Sequence, residues 1–354
     1  MLDMKRKRCA AWILAFHVVL SVAAHDFVVT QGGNKIYFNI KNKTAKTAEV
    51  TYKGSIADRL VPEISGDVEI PAKVKHNNVV YTVTGIKAKA FRDAVGLTGI
   101  VLPSTITSVG EFAFEDCTAL RKIIFPANDV TFGQGAFYKC TSIRDVTFGS
   151  DWTKVNLTMF RWSDSLVALV IPAKMEKIQN LKKLKMLQSV EVDVNNTKFS
   201  SVSGVLYNKD RSVLYGCPRS YSGRLRIPEG TLTLTRGALI DCPKITVLDF
   251  PSSLTYVSFR ETARMKHLKQ IIFRGDTPVI TAYQEGKGCF VLQVANPDVE
   301  LMVPNKSKAV YKDALVQQGG AFCETQDADA IPYRLEAADM PLVKQINGVK
   351  NFND

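Results

Sequence analysis

The sequence predicts a β-rich solenoid, a right-handed array of about ten stacked coils. Short parallel strands are expected on one side and turns or short helices on the other. Two observations predict this fold. Apolar residues recur in fixed columns every 23 residues, and prolines recur at one position relative to those columns. A unit of that length cannot bury its apolar side chains alone, so neighbouring units must stack.

The 23-residue period is set by apolar columns in the middle of the chain. Two columns precede each predicted strand and two lie within it. The four columns are Phe91, Phe114, Phe137 and Phe160; Leu97, Leu120, Ile143 and Leu166; Ile100, Ile123, Val146 and Leu169; and Leu102, Phe125, Phe148 and Ile171. The outer and later strands are predicted at Val68/Ile70, Val190/Val192, Leu225/Ile227, Leu248/Phe250, Ile271/Phe273 and Leu301/Val303. The strand at Val190 comes two residues early, and a longer insertion follows it.

The prolines give an independent check of this register. Seven of the 14 prolines directly follow the second apolar residue of a predicted strand: Pro71, Pro103, Pro126, Pro172, Pro228, Pro251 and Pro304. Proline has no N–H to donate to a strand ladder, so it is typical of a position where a strand ends. Each strand is therefore expected to have three or four residues and to end abruptly.

Residues 1–24 have the pattern of a secretory signal. Four basic residues, Lys5 to Arg8, precede a short apolar run, and small residues lead up to a predicted cleavage site near Ala24. A membrane anchor is the alternative, but the run is short for a span. We therefore expect a secreted, periplasmic or cell-surface product with no transmembrane span in its mature chain.

The ends of an open array should differ from its middle, because they expose core and strand edges. Residues 25–64 contain "NKIYFNI" and "TAEVTYKG", whose alternating apolar and polar residues predict an N-terminal β-hairpin cap. The solenoid is assigned to residues 65–315. Residues 316–354 are less patterned and are expected to form a C-terminal cap or tail.

The chain is basic. Its formal charge of +12 becomes +9 once residues 1–24, with four Lys/Arg and one Asp, are removed. In an exported protein this favours anionic surfaces or polysaccharides as partners over nucleic acid. Six of the seven cysteines remain after cleavage, so disulfides are permitted but not required for a chain of this length.

The repeat unit resembles a known family. Residues 106–126, "ITSVGEFAFEDCTALRKIIFP", follow the pattern I-x-x-[IV]-G-x-x-A-F-x-x-C-x-x-L-x-x-I-x-[LF]-P. This pattern is similar to the BspA-like leucine-rich repeats of surface proteins from Bacteroides-type bacteria, and the similarity covers roughly residues 65–315. Residues 201–218 resemble the hairpin insertion of such arrays, and residues 299–314 resemble their terminal repeat. The resemblance implies adhesion to host proteins or other cells, without shared catalytic residues.

Three departures from this pattern lie in the middle of the array. Met159 replaces alanine, Gly149 replaces proline, and "LKKLKMLQS" at 181–189 replaces the A-F-x-x-C segment. We expect the coils there to be irregular and specialised in function.

Cys117 and Cys140 occupy one repeat position, as does Cys242. A catalytic thiol needs a neighbouring base and does not recur coil after coil, so these cysteines are expected to face the core as free thiols. A Cys117–Cys140 disulfide is conceivable, because neighbouring coils bring equivalent Cα atoms within range. The pairing of Cys217, Cys289 and Cys323 cannot be predicted from the sequence.

No catalytic, metal or cofactor site is predicted. The mature chain has only His25, His76 and His267, and none has a second ligand at metal spacing. Nucleophile-elbow and phosphate-loop motifs are absent from the sequence. Carboxylate pairs such as Glu115 and Asp116 fall in predicted turns. We therefore expect a protein that is not an enzyme and has no cofactor.

Two surfaces are candidates for binding. The first is the outward column between the two inward residues of each strand: Val101, Ile124, Thr147, Val170, Glu191, Arg226, Asp249 and Ile272. Its apolar members suggest a partner surface, although a loop or the N-terminal region could equally cover it. The second is a basic run formed by Lys174, Lys177, Lys182, Lys183 and Lys185. That run is either a solvated turn or a patch for an anionic partner.

These observations favour an exported adhesion or protein-binding module that uses the sheet face of the solenoid. Its partner would be a host or neighbouring-cell protein, or an anionic glycan. A glycan-binding module is an alternative, although the outward column holds no aromatic residue. A structural or assembly component of the cell envelope is another.

Overall fold

The computed structural model describes residues 25–54, 63–257, 259–262, 264–279, 282–284, 287–289, 299–311 and 349–351. The predicted signal segment lies outside the described residues, as do residues 55–62 of the predicted cap and most of the predicted C-terminal region.

The described chain begins with antiparallel strands. The first strands are β1 (Phe27–Gln31), β2 (Asn34–Asn42), β3 (Thr47–Thr51), β4 (Ser65–Glu69), β5 (Lys73–His76) and β6 (Val79–Ile86). β1 pairs with β2 and β2 with β3, both antiparallel, and β3 then pairs parallel with β6. Ile36 and Phe38 are buried because alternate side chains of β2 face the core. The two strands predicted here are present, and β1 adds a third.

A parallel ladder follows, with its strands in the predicted register. The next strands are β7 (Gly96–Val101), β8 (Ser108–Val109), β9 (Lys122–Ile124), β10 (Thr131–Phe132), β11 (Asp145–Thr147), β12 (Lys154–Asn156), β13 (Ala168–Ile171), β14 (Lys177–Gln179) and β15 (Ser189–Val192). β4, β7, β9 and β11 form one sheet, and β13 pairs with β15. Ile100 pairs with Ile123, and Ile123 with Val146, which is a step of 23 residues.

A second ladder, which the sequence pattern did not predict, runs along another side of the stack. It consists of β6, β8 and β10, followed by the separate pair β12 and β14. The I-x-x-[IV]-G segment at residues 106–110 contains β8, and the equivalent segments of neighbouring coils contain the other short strands. A Cβ added at Gly110 would lie 2.3 Å from the backbone nitrogen of Ala88. Glycine therefore allows successive coils to approach closely at that corner.

The A-F-x-x-C segments form turns on the remaining side. There the rings of Phe91 and Phe114 stack with centroids 4.9 Å apart, and those of Phe114 and Phe137 with centroids 4.8 Å apart. These spacings match the distance between hydrogen-bonded strands, about 4.8 Å, because each coil carries one ring of the column. In the irregular coils, 3₁₀ turns at Leu157–Phe160 and Leu181–Lys183 replace the usual turn.

Gly149 occupies the position at which the repeat pattern has proline. The surroundings of Gly149 explain why glycine replaces proline there. A Cβ at this position would lie only 1.8 Å from the carbonyl oxygen of Pro126. The buried Trp152 donates its indole N–H to the same oxygen at 3.0 Å. The coil therefore has no room here for a residue larger than glycine.

The C-terminal part continues the stack after a meander. Its strands are β16 (Phe199–Val202), β17 (Val205–Asn208), β18 (Val213–Gly216), β19 (Gly223–Arg226), β20 (Thr233–Leu234), β21 (Ile245–Phe250), β22 (Gln270–Phe273), β23 (Ala282–Gln284), β24 (Lys287–Cys289), β25 (Glu300–Val303) and β26 (Val349–Asn351). β16, β17 and β18 are antiparallel and overlap the predicted hairpin insertion. β19, β21, β22, β25 and β26 form a parallel sheet. 3₁₀ turns lie at Phe259–Thr262 and Asn305–Ser307, and residues 308–311 are helical.

Buried side chains form two hydrophobic clusters. The first extends from Phe27 to Leu206 and the second from Val205 to Tyr311. The inward residues predicted for the strands line these clusters, and only Val146 and Val192 are less than fully buried among them. The two clusters meet at the β16–β18 meander.

Candidate binding surfaces

Four of the eight residues in the predicted outward column of the sheet are exposed. Thr147, Glu191 and Arg226 are exposed, and Val170 exposes 55% of its surface. Val101 and Ile124 are half-buried. An exposed apolar side chain is therefore flanked by polar ones along the strands β7 to β19.

The prediction of outward exposure is wrong for Asp249 and Ile272. Asp249 is fully buried, because Arg224 donates to its Oδ2 at 2.6 Å and Arg274 donates to both oxygens at 2.7 Å. Ile272 is also buried; it pairs directly with Asp249 on one side and with Met302 on the other. These two residues are therefore not part of an accessible surface.

The Asp249 carboxylate bridges three neighbouring strands. Burial alone would raise the pKa of Asp249, but the bonds from Arg274 and Arg224 outweigh this effect and leave that pKa lowered. The carboxylate accordingly stays ionised within a satisfied network. This arrangement is a structural ion pair and not a reactive acid.

The basic run does not form one continuous patch. Lys174 pairs with Asp151, while Lys185 lies 3.6 Å from Asp164 and 3.7 Å from the centre of the Trp162 ring. Lys177 lies on β14, and Lys182 and Lys183 lie in the following 3₁₀ turn, where all three are exposed. The run is thus divided between ion-paired and unpaired lysines.

A cleft of about 440 Å³ lies beside these unpaired lysines, and sequence reasoning did not identify it. Lys177 and Lys182 line one part of it, and residues of β18 and the segment after β20 line the other. Its position coincides with "LKKLKMLQS", the departure from the repeat pattern. That departure and the basic run were the two signals in the sequence that pointed to this region.

The repeated cysteines face the core, as predicted. Cys117 and Cys140 are fully buried free thiols, and their Sγ–H groups donate to the carbonyl oxygens of Phe91 and Phe114 at 3.0 and 2.9 Å. Burial, together with the neighbouring Cys117 thiol, raises the pKa of Cys140 well above its usual value. The Cys140 thiol is therefore held neutral and is not activated as a nucleophile.

Ser163 extends the same column by one coil. It is buried and donates its hydroxyl to the carbonyl oxygen of Phe137 at 2.8 Å. In these coils the side chain thus satisfies a buried carbonyl in addition to filling space. The sequence held a signal for this role of Ser163, because Ser163 lies 23 residues after Cys140.

Among the residues that the structure describes, no three or more His, Cys, Asp or Glu side chains are grouped so that they could hold a metal ion. None of the helical segments described there has the length and hydrophobicity needed to cross a membrane.

Several solved structures are similar to the chain. They include the pneumococcal vaccine antigen PcpA, at 19% identity and a TM-score of 0.46 over 80% of this chain and 83% of that one. A leucine-rich repeat protein from Eubacterium ventriosum is 17% identical, with a TM-score of 0.46 over 78% and 80% of the two chains. A leucine rich cell surface protein from Faecalibacterium prausnitzii is 18% identical, with a TM-score of 0.37 over 80% and 90%.

No curated protein matched the chain. A family model does match: it describes the BspA type leucine rich repeat region and finds six copies in residues 72–201. This range contains the Phe91–Phe160 column, the Cys117/Cys140 position and the strands from β7 to β15. Residues 72–201 therefore match the BspA type leucine rich repeat region, as the sequence resemblance indicated.

Proposed function

We propose that the chain is an exported protein-binding or adhesion module without enzymatic activity, and that it binds its partner through the outward face of the strands. Leucine-rich repeat proteins of this type are generally binding modules found on surfaces or secreted. In this proposal the coils continue as a right-handed solenoid of about ten units with a period of 23 residues, and β1–β3 cap its N-terminal end.

The observation that carries the proposal is the exposed Val170 within the outward column. An isolated exposed valine is unremarkable, but this one belongs to an outward column that also contains the half-buried Val101 and Ile124 in earlier coils. A preformed surface costs little conformational entropy when a partner binds. The exposed Glu191 and Arg226 farther along the column supply polar contacts at its rim.

A charge placed on this face tests the proposal. Val170→Asp should leave the fold intact and weaken partner binding at least about tenfold, because a desolvated carboxylate would face an apolar contact. Val95→Asp is the matched control: Val95 exposes 56% of its surface, close to the 55% of Val170, but lies in the turn before β7.

The measurement is binding of the purified chain and both variants to an array of extracellular matrix proteins and glycans at two salt concentrations. Binding that persists at high salt supports an apolar contact, since salt screens exposed charges. A partner bound equally well by the Val170→Asp chain would refute the sheet-face assignment, as would loss of binding in the Val95→Asp chain. Light scattering on the same samples tests the envelope-assembly alternative through self-association.

A further inference from the structure

The cleft beside the basic run lies where the regular stacking is interrupted. One wall is formed by β14 and the 3₁₀ turn after it, and the other by β18 and the residues following β20. β14 pairs with β12 and with no other strand of the described chain. Phe199 and Leu206 of the first core cluster and Cys217 and Cys242 of the second reach the cleft from beneath. The cleft therefore marks the junction of the two clusters.

Cationic side chains outnumber carboxylates in the cleft. Lys177, Lys182, Arg219 and Arg236 line it, against Glu176 and Asp241. Asp241 is already paired with Arg264 at 3.2 Å. Lys177, Lys182 and Arg219 form no ion pair with any residue that the structure describes. Their charges remain available to a ligand.

A third carboxylate lies behind the wall and is already occupied. The oxygens of Glu261 accept the backbone N–H groups of Gly237 and Leu239 at 2.6 and 2.7 Å. Burial raises the pKa of Glu261, while its backbone hydrogen bonds from Leu239 and Gly237 and, less strongly, nearby Lys182 oppose this rise. Glu261 is therefore held by the backbone of the wall and forms no ion pair with Lys182.

An aromatic ring stands in the same cleft. Tyr215 exposes 43% of its surface, and its ring meets that of Phe199 edge to face with centroids 5.5 Å apart. This contact fixes the ring on one side and leaves it accessible on the other. Aromatic rings with fixed orientation are suited to contact the apolar C–H face of a sugar.

An added peptide strand fits the cleft less well. A strand that extended the sheet would have to run beside β14 at a backbone spacing of about 4.8 Å, between β14 and the opposite wall. The two walls instead approach each other at Leu181, since a Cβ built on Gly216 would lie 3.1 Å from Cδ2 of Leu181. The cleft is thus closed at its base and suits a ligand that rests on the surface.

We propose that this cleft binds an acidic oligosaccharide, a short chain of sugars that carries carboxylate or sulfate groups. Lys177, Lys182 and Arg219 pair with the anionic groups, and the ring of Tyr215 supports a sugar face. The volume of about 440 Å³ lies within the usual range of roughly 300–1,000 Å³ for small-ligand sites. None of the exposed outward-column residues lines the cleft, so this site is separate from the sheet face.

Calorimetric titration of the purified full chain tests the proposal. The probes are tetragalacturonate, which carries carboxylates, and a heparin tetrasaccharide, which also carries sulfates; neutral maltotetraose is the control ligand. At least one acidic probe should bind, and its affinity should fall as salt rises. Lys177→Gln combined with Lys182→Gln should weaken binding about tenfold or more, and Tyr215→Leu should weaken it severalfold.

Lys183→Gln is the matched control variant, because Lys183 is exposed in the same 3₁₀ turn but does not line the cleft. It should bind within about twofold of the unchanged chain. An equal loss in the Lys183→Gln chain would overturn the assignment to the cleft. The proposal is also overturned if neither acidic probe binds at about 1 mM, or if a tetraglutamate peptide binds as tightly as the sugars.

Discussion

At the scale of single residues, the Cys117–Cys140–Ser163 column contributes hydrogen bonds to the interior. Each member donates to the carbonyl oxygen of a phenylalanine one coil earlier. A buried carbonyl that loses its donor costs about 1–3 kcal/mol. Cysteine and serine both supply such a donor on a small side chain.

Substitutions of Cys140 separate the contribution of its hydrogen bond to stability from that of its side-chain volume. Cys140→Ala removes the donor and should lower the free energy of unfolding by about 1–3 kcal/mol, whereas Cys140→Ser keeps a donor on a side chain of nearly the same size as alanine and should cost about 1 kcal/mol or less. Urea unfolding of the two variants measures the difference. An alanine variant as stable as the serine variant would show that the thiol only fills space.

At the scale of strands, Asp249 connects β19, β21 and the residue after β22 through its two arginines. Because the folded-state pKa of Asp249 is lowered, its ionised form stabilises the fold above the unfolded value of about 3.9, and this contribution is lost as the pH falls through the folded value.

A comparison of two carboxylates checks this contribution. Asp249→Asn should remove the part of the stability that the protein loses on acidification below about pH 4. Glu191→Gln is the matched control, since Glu191 occupies the same outward column on β15 but is exposed. Unfolding free energies from pH 2 to 7 are the measurement. Identical pH profiles for the Asp249→Asn chain and the unchanged chain would contradict the assigned network.

The inward and the outward positions of the strands show how far the sequence could predict this fold. Columns such as Ile100 and Ile123 were predictable, because a fixed period places each residue beside its equivalent in the next coil. The burial of Asp249 was not, since it depends on Arg224 and Arg274, each 25 residues away and outside the repeat pattern. The same applies to the cleft, which arises where the pattern fails and where β14 lacks a second strand partner in the described chain.

At the scale of the whole molecule, the division of the core predicts how the chain unfolds. Stacked repeats contact only their neighbours, so stability is approximately a sum over units and interfaces. The two hydrophobic clusters meet at the β16–β18 meander, where the ladders of β14 and β18 are not joined. We therefore expect the clusters to respond separately to substitutions deep inside either one.

Phe137→Ala probes this separation. Phe137 is fully buried between Phe114 and Phe160, with ring centroids 4.8 and 5.6 Å away, so its truncation should cost about 3–5 kcal/mol. Hydrogen exchange measured by mass spectrometry should then rise over β7–β15 and remain near its original level over β19–β22. Phe250→Ala, which removes a ring stacked on Phe273 at 4.9 Å, should give the reverse pattern. A uniform rise along the chain in either variant would mean that the two clusters unfold as one cooperative unit, because the meander would then transmit the loss across the junction.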